Sequence, residues 1–329
     1  MKMPYTRRTM VAALPGFLAA AQSPAPRASR SWNPKLGVYC RYSEANVQFV
    51  RDEGFTSIQL AAQKPSLDPA MADEALEKVK RVLGRSGLYV SALGSTVNHI
   101  DPDPDRRART NADFLKVIEL AGKLGAPSVG TASGTMPGQP LGRQVEEIVR
   151  IYTEKYFPAC EKNRVRLLWE PYAGGPNVAT GPVGYEALFR AFGDSPYVGL
   201  QYDPSHLVWQ MMDPIQCARD FIGKIHDVHL KDTEIMWPVL RRVGIRPLDD
   251  TRWWRFRLPG SGCIDWKAFF TVLMEAGYSG AMNIEHEDAF YYPNYQDGEF
   301  TEQFKAGFRV AHAYLRQFVP ARAATGPVR

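Results

Sequence analysis

Four stretches in the second half of the chain decide its fold: RLLWEPY (166–172), VGLQYDPSH (198–206), IHDVHLKD (225–232) and GAMNIEHED (280–288). Each starts as a short apolar run of strand type. Each then delivers an acid or an imidazole: Glu170, Asp203, His229 and Glu285. Helix-like segments separate the runs. If the strands are parallel neighbours, all four side chains gather at one rim. Two Glu, one Asp and one His converging on a point can hold a divalent metal and still leave carboxylates for proton transfer.

Upstream, the same alternation continues. Further apolar runs are LGVYC (36–40), SIQLA (57–61), YVSALG (89–94) and PSVGTAS (127–133), giving eight with those above. Between them lie EANVQFVRDEG, DEALEKVKRVLGRSG and RTNADFLKVIELAGKLG, whose apolar residues recur every three or four positions and which stop on glycine. Eight strand–helix units in roughly 285 residues predict a single-domain α/β fold, a (β/α)8 TIM barrel, over residues 32–320. A doubly wound open sheet is the alternative. It has no need of eight regular units, and no GxGxxG follows the first run.

The flanks read differently. Residues 1–21 carry Arg7-Arg8 ahead of the weakly apolar VAALPGFLAAA, which looks like a twin-arginine export signal with small residues at its end. That stretch is too short to span a bilayer. An exported, extracytoplasmic protein without stable membrane insertion is therefore expected. Residues 22–31 (QSPAPRASRS) read as a linker and 321–329 as a disordered tail.

Composition is ordinary for a globular chain, 45% hydrophobic and 23% charged over 329 residues. The net charge of +5 comes from 40 basic residues scattered among 35 acidic ones, so no nucleic-acid surface is expected. Cys40, Cys160, Cys217 and Cys263 form no CxxC pair and read as free thiols.

One connection stands out. TEIMWPVLRRVGIRPLDDTRWWRFRLPGSGC (233–263) is long and rich in Trp and Arg. On a barrel it falls on the catalytic face, either as a lid or binding loop or as an excursion packing its Trp on the rim.

Three carboxylates and an imidazole suit Mn²⁺ first, with Mg²⁺, Co²⁺, Fe²⁺ or Zn²⁺ as other occupants. A filled site of this kind polarises a sugar carbonyl and stabilises the enediolate formed when the neighbouring C–H loses its proton. Glu170 and Glu285 are placed to serve as base and acid on the two faces.

The Glu of the fifth strand, DxxH (Asp203–His206), HLKD (His229–Asp232), GxGxIDW (Gly260–Trp266) and IEHED (Ile284–Asp288) together resemble the sugar phosphate isomerase/epimerase family. These are xylose isomerase-like TIM barrels and include ketose 3-epimerases and inosose dehydratases. The resemblance covers nearly everything after residue 32. It implies that Glu170, Asp203, His229 and Glu285 are metal ligands, with the two Glu also acting as the acid/base pair. It implies further that His206 contacts substrate oxygens, and that an Arg shortly before GxGxIDW, best matched by Arg257, does the same. Barrels of this kind are often homo-oligomers, and no stretch of the sequence marks an interface.

The chain departs from simple sugar epimerases in its export signal, its longer loop after HLKD and its continuation into HEDAFYYP. HxKDTE with IEHED resembles a branch acting on oxidised sugars, where related barrels eliminate or add water or alcohol at 3-keto-glycosides.

Other residues carry weaker signals. Lys231 can donate to an enolate oxygen or serve as a loop ion-pair partner. His99, beyond the third strand, is expected on the catalytic face and within reach of substrate. His226 and His286 read as structural, the latter pointing outward, and His312 as surface. The aromatics Trp169, Tyr172, Trp209, Trp237, Trp253 and Trp254 read mainly as packing.

The expected function is thus a metal-dependent isomerase or epimerase of a free or keto-sugar. The alternatives are a lyase or hydratase on an inosose or 3-keto-glycoside, a non-catalytic sugar-binding barrel, and, more remotely, a nuclease resembling endonuclease IV. The nuclease needs a His-rich zinc cluster, and this chain has six His in all.

Overall fold

The computed structural model of the protein describes residues 32–291 and 298–319. The expected signal (1–21), linker (22–31) and tail (321–329) lie outside the described residues.

Eight strands close into a parallel barrel. They are β1 (Lys35–Cys40), β2 (Ser57–Ala61), β3 (Tyr89–Gly94), β4 (Ser128–Thr131), β5 (Arg166–Trp169), β6 (Val198–Tyr202), β7 (Ile225–Leu230) and β10 (Ala281–Ile284). Each pairs with the next in sequence, and β1 returns to β10 through Lys35 opposite Ala281. All eight fall on the apolar runs of the sequence, since strands covered on both faces are apolar almost throughout.

Helices cover the outside: α1 (Glu44–Asp52), α2 (Asp73–Ser86), α3 (Pro104–Leu124), α4 (Leu141–Ile151), α5 (Phe157–Asn163), α6 (Pro182–Phe192), α7 (Pro204–Trp209), α8 (Pro214–Phe221), α10 (Trp266–Glu275) and α11 (Glu302–Leu315). α2 and α3 stop at Gly87 and Gly125, which adopt positive φ of 69° and 72°, a conformation glycine enters at little cost.

The barrel interior is unusually polar below the catalytic rim. Gln59 donates to Gln201 at 2.9 Å, and Asn283 donates to Ser91 and Asp227 at 3.0 Å each. This layer fits because β4 carries Gly130, where a Cβ would collide with the Gln201 amide. Burial pushes the Asp227 carboxyl up to about 7, outweighing the His229 charge and the Ser91 and Asn283 hydrogen bonds that favour its ionised form.

The long connection after β7 is an ordered unit rather than an irregular loop. β8 (Asp232–Ile235) and β9 (Trp254–Arg257) form an antiparallel hairpin around α9 (Trp237–Val243). Asp232 buckles its base. The carboxylate accepts backbone N–H groups of Thr233, Gly260, Gly262 and Ile264 at 2.8–3.1 Å and the Trp266 indole at 2.8 Å. Such a set of donors fixes a segment that short strands alone would not hold.

Cys40, Cys160 and Cys217 are buried free thiols, and Cys263 is an exposed one. Among the described residues, no helix is long and apolar enough to cross a membrane.

Candidate active site

Glu170, Asp203 and Glu285 each stand one residue past the end of β5, β6 and β10. His229 is the penultimate residue of β7, and Lys231 follows that strand. The strands lie in the order β5, β6, β7, β10, so all five side chains come from consecutive staves. Side chains along a strand alternate between faces. Asp227, His229 and Lys231 therefore climb the inside of the barrel, as do Asn283, Glu285 and Glu287.

Ligand-type atoms of Glu170, Asp203, His206 and Glu285 lie within 4.8 Å of one another. The sequence reading had His229 in this set and His206 on the substrate. His206 joins it because α7 starts directly after Asp203, and one helical turn returns position 206 to the same cup. Its Nε2 lies 3.5 Å from both Glu170 Oε1 and Asp203 Oδ2. His229 sits immediately below. Its Nδ1 is 3.0 Å from Glu170 Oε1 and 3.2 Å from Glu285 Oε2, and its Nε2 is 2.9 Å from Gln59 Oε1. The Tyr39 ring stacks on it at 5.3 Å.

Lys231 is central. Its buried ammonium lies 2.5 Å from Glu285, 3.0 Å from Glu287 and 3.3 Å from Asp203, and 4.3 Å above the Phe256 ring. Glu287 was missed by the sequence reading. Its signal was the two-residue step from Glu285 in IEHED, which puts both on one face.

Electrostatics follow from these distances. Burial opposes the charge on Glu285, but Lys231 beside it brings the carboxyl down to about 2. Burial likewise opposes charge on Glu170, and His229 and His206 hold that carboxyl well below the usual range. The His229 imidazole is disfavoured as a cation by burial, yet Glu285 and Glu170 raise it well above its ordinary value. Glu287 moves the other way, raised by burial despite Lys231.

The residues fit a divalent cation. Four carboxylates, Glu170, Asp203, Glu285 and Glu287, crowd about the Lys231 ammonium and the His229 imidazole, and Asp203 Oδ2 is buried without a hydrogen bond while Oδ1 caps α7 through the Ser205 N–H at 2.8 Å. Buried charge of one sign needs a counter-charge.

Two other expected substrate contacts are held by protein partners. His99 is fully buried beneath α3, with Nδ1 2.9 Å from the Tyr156 hydroxyl and Nε2 3.0 Å from Thr131 Oγ1. Burial lowers it to about 3, so it is a neutral core residue. Strand-end placement misled because the chain after β3 turns under the helices rather than over the cup. Arg257, on β9, is committed to Asp288 at 2.9 Å and to Glu234, and so anchors the hairpin. His286 faces outward as expected, stacked on Phe304 at 4.2 Å. His312 is half-buried on Phe55 rather than a surface residue.

Comparison with known proteins agrees with this architecture. The chain is 29% identical over 279 residues to the uncharacterized protein YfiH of Bacillus subtilis (strain 168), covering 75% of this chain and 83% of that protein. It is 37% identical over 95 residues to the inosose dehydratase of Clostridium tetani (strain Massachusetts / E88), but that match spans 29% of this chain and 32% of the dehydratase. Among solved structures, 3-keto-D-glucoside 4-epimerase (YcjR) from E. coli superposes with a TM-score of 0.63 at 15% identity, over 87% of this chain and all of that one, a likeness of fold. The family model for the xylose isomerase-like TIM barrel matches residues 47–310, and the chain belongs to that family.

Proposed function

We propose that this protein is a divalent-metal-dependent isomerase or epimerase of a keto-sugar or free sugar, working through an enediolate. The convergence of Glu170, Asp203, Glu285 and His206 on one small cup, with His229 against Glu170 and Glu285 just below, carries this reading. Hydrogen-bond donors support a division of labour between the two histidines. The Trp209 indole N–H donates to His206 Nδ1 at 3.4 Å, which leaves the proton on Nε2 and makes His206 a donor toward substrate oxygen. The Gln59 carbonyl takes the His229 Nε2–H and leaves Nδ1 facing Glu170 and Glu285 as a ligand once deprotonated. Glu170, Asp203, His229 and Glu285 would then hold the ion, with Mn²⁺ the leading candidate.

When bound, the ion would polarise the sugar carbonyl and lower the acidity barrier of the adjacent C–H. One carboxylate of the Glu170/Glu285 pair removes that proton, and the carbonyl oxygen takes up the electron pair. The other carboxyl, protonated from solvent as substrate binds, delivers a proton on the opposite face, giving the epimer; delivery to the neighbouring carbon gives the isomer, with that carbon's hydroxyl proton passing to the former carbonyl oxygen. The Lys231 ammonium is placed to stabilise the enediolate oxygen.

A second reading is a carbon–oxygen lyase acting on an inosose or 3-keto-glycoside. The dehydratase relative and the extra Lys231–Glu287 pair favour it. Proton abstraction is the same, but the electron pair expels the β-oxygen, which leaves with a proton from the acid.

Proton exchange in D₂O tests both. Protein loaded with Mn²⁺ is incubated with ketoses, inososes and 3-keto-glucosides and followed by NMR, beside Glu285→Gln. Deuterium entering the carbon next to the carbonyl, and lost in the variant, is the expected result. The product then separates epimer from eliminated water or alcohol. No exchange with any of them would overturn the reading. We also propose that Arg7-Arg8 directs export, to be tested by fusing residues 1–31 to a reporter.

A further inference from the structure

A groove of about 660 Å³ opens beside the cup, between the end of α7 and the α9–β9 connection. Trp209 and Trp254 line it, stacked on each other at 4.8 Å and 11°, with the Arg252 guanidinium 5.5 Å from the Trp254 ring. Asp249, Asp250, Gln210 and the exposed Arg252 edge it. Volumes of this size hold small ligands rather than solvent alone.

The groove's lining touches the catalytic cup. Trp209 donates to His206, the Trp254 ring is 4.9 Å from Phe256, and Phe256 lies edge-on to His206 at 5.2 Å and under Lys231. A run of aromatic contacts therefore links the groove's lining to the side chains of the carboxylate cup. Met211, at the lip, keeps a left-handed φ of 60°, which costs a non-glycine residue about 1 kcal/mol and is characteristic of sites under functional constraint.

Indoles and methionines beside carboxylates, an amide and a guanidinium suit a sugar ring, with its C–H groups against the apolar side chains and its hydroxyls toward the polar ones. We infer that this groove is a saccharide subsite, holding the second ring of a glycoside whose first ring lies in the cup. This rests on the sugar-processing reading above and narrows its substrate to something larger than a monosaccharide.

The test separates binding from chemistry. Mn²⁺-loaded Glu285→Gln protein is titrated with cellobiose, maltose, lactose and trehalose against methyl β-D-glucoside, read by indole fluorescence and saturation-transfer NMR. At least one disaccharide is expected to bind tenfold or more tightly than the methyl glucoside. Trp254→Ala is expected to abolish that difference. Asp250→Asn, which keeps the indole stack, should reduce it severalfold and covers the case in which the Trp variant fails to fold. Equal affinities, or a preference indifferent to both substitutions, would overturn the subsite. So would a dimer in light scattering that Trp254→Ala disperses, because the groove would then belong to a second copy. Deuterium exchange on monosaccharides with no disaccharide preference sinks the subsite alone. Disaccharide binding in the groove with no exchange on any substrate sinks the reaction alone.

Discussion

Two buried pockets in this barrel are each built around histidine, and they behave in opposite ways. Around His229 the partners are Glu170 and Glu285, and the imidazole is driven toward its charged form. Around His99 the partners are the hydroxyls of Tyr156 and Thr131 and the rings of Phe114 and Tyr152, and burial lowers it to about 3. Both histidines are buried, and both lie beyond or near a strand's carboxyl end. What differs is the charge on the groups that touch each ring. Depth does not make a histidine functional; an excess of buried negative charge that asks for a cation does.

The comparison breaks most readily at Glu285. Glu285→Gln should reduce kcat about 10²–10⁴-fold, the range for loss of a general acid or base, in protein shown to be folded and loaded with Mn²⁺. A variant with near-normal turnover would remove the acid/base pair from the cup. No comparable loss is expected in the other pocket, where His99→Phe should leave kcat within about threefold once folded and loaded with metal.

Lys231→Met sharpens the electrostatic side. In metal-free protein it strips the counter-charge from Asp203, Glu285 and Glu287 and should cost about 3–5 kcal/mol in denaturant unfolding. Added Mn²⁺ should restore much of that loss. Equal deficits with and without metal would mean that the ammonium and the ion do not share one field.

Metal itself gives the next effect. At about a hundred times its Kd, Mn²⁺ should add about 2.7 kcal/mol to wild-type stability, read as a midpoint shift of several degrees. Asp203→Asn should erase most of the shift. A full shift in that variant would place the ion elsewhere.

The smallest effect is expected at His99. Replacing it with Phe leaves Thr131 Oγ1 without its partner and should cost about 1–3 kcal/mol. The pH dependence gives the sign. The unfolded His99 binds a proton near pH 6.5 and the folded one only near 3, so its contribution is full above 6.5 and is lost as pH falls between them. The deficit of His99→Phe should therefore shrink on acidification. His229 runs the other way in metal-free protein. Its folded value is raised, so its contribution is complete below pH 6.5 and fades as pH climbs through that higher value. Measurements from pH 4 to 9 would show whether the two pockets oppose each other.

The sequence by itself determined the barrel and the three carboxylates. Strands buried on both faces must be apolar, helices on the outside must repeat every three to four residues, and a residue just past a parallel strand must lie on the common rim. Glu170, Asp203 and Glu285 needed nothing more. Only the tertiary structure decided the rest. It brought His206 into the cup through the short α7 and set His229 one layer deeper, because that residue is still inside its strand. It placed Lys231 among four carboxylates, turned His99 into the helix layer and folded the Trp-rich connection into a hairpin buckled by Asp232. Those outcomes depend on distances between elements far apart in the chain, which local periodicity does not encode.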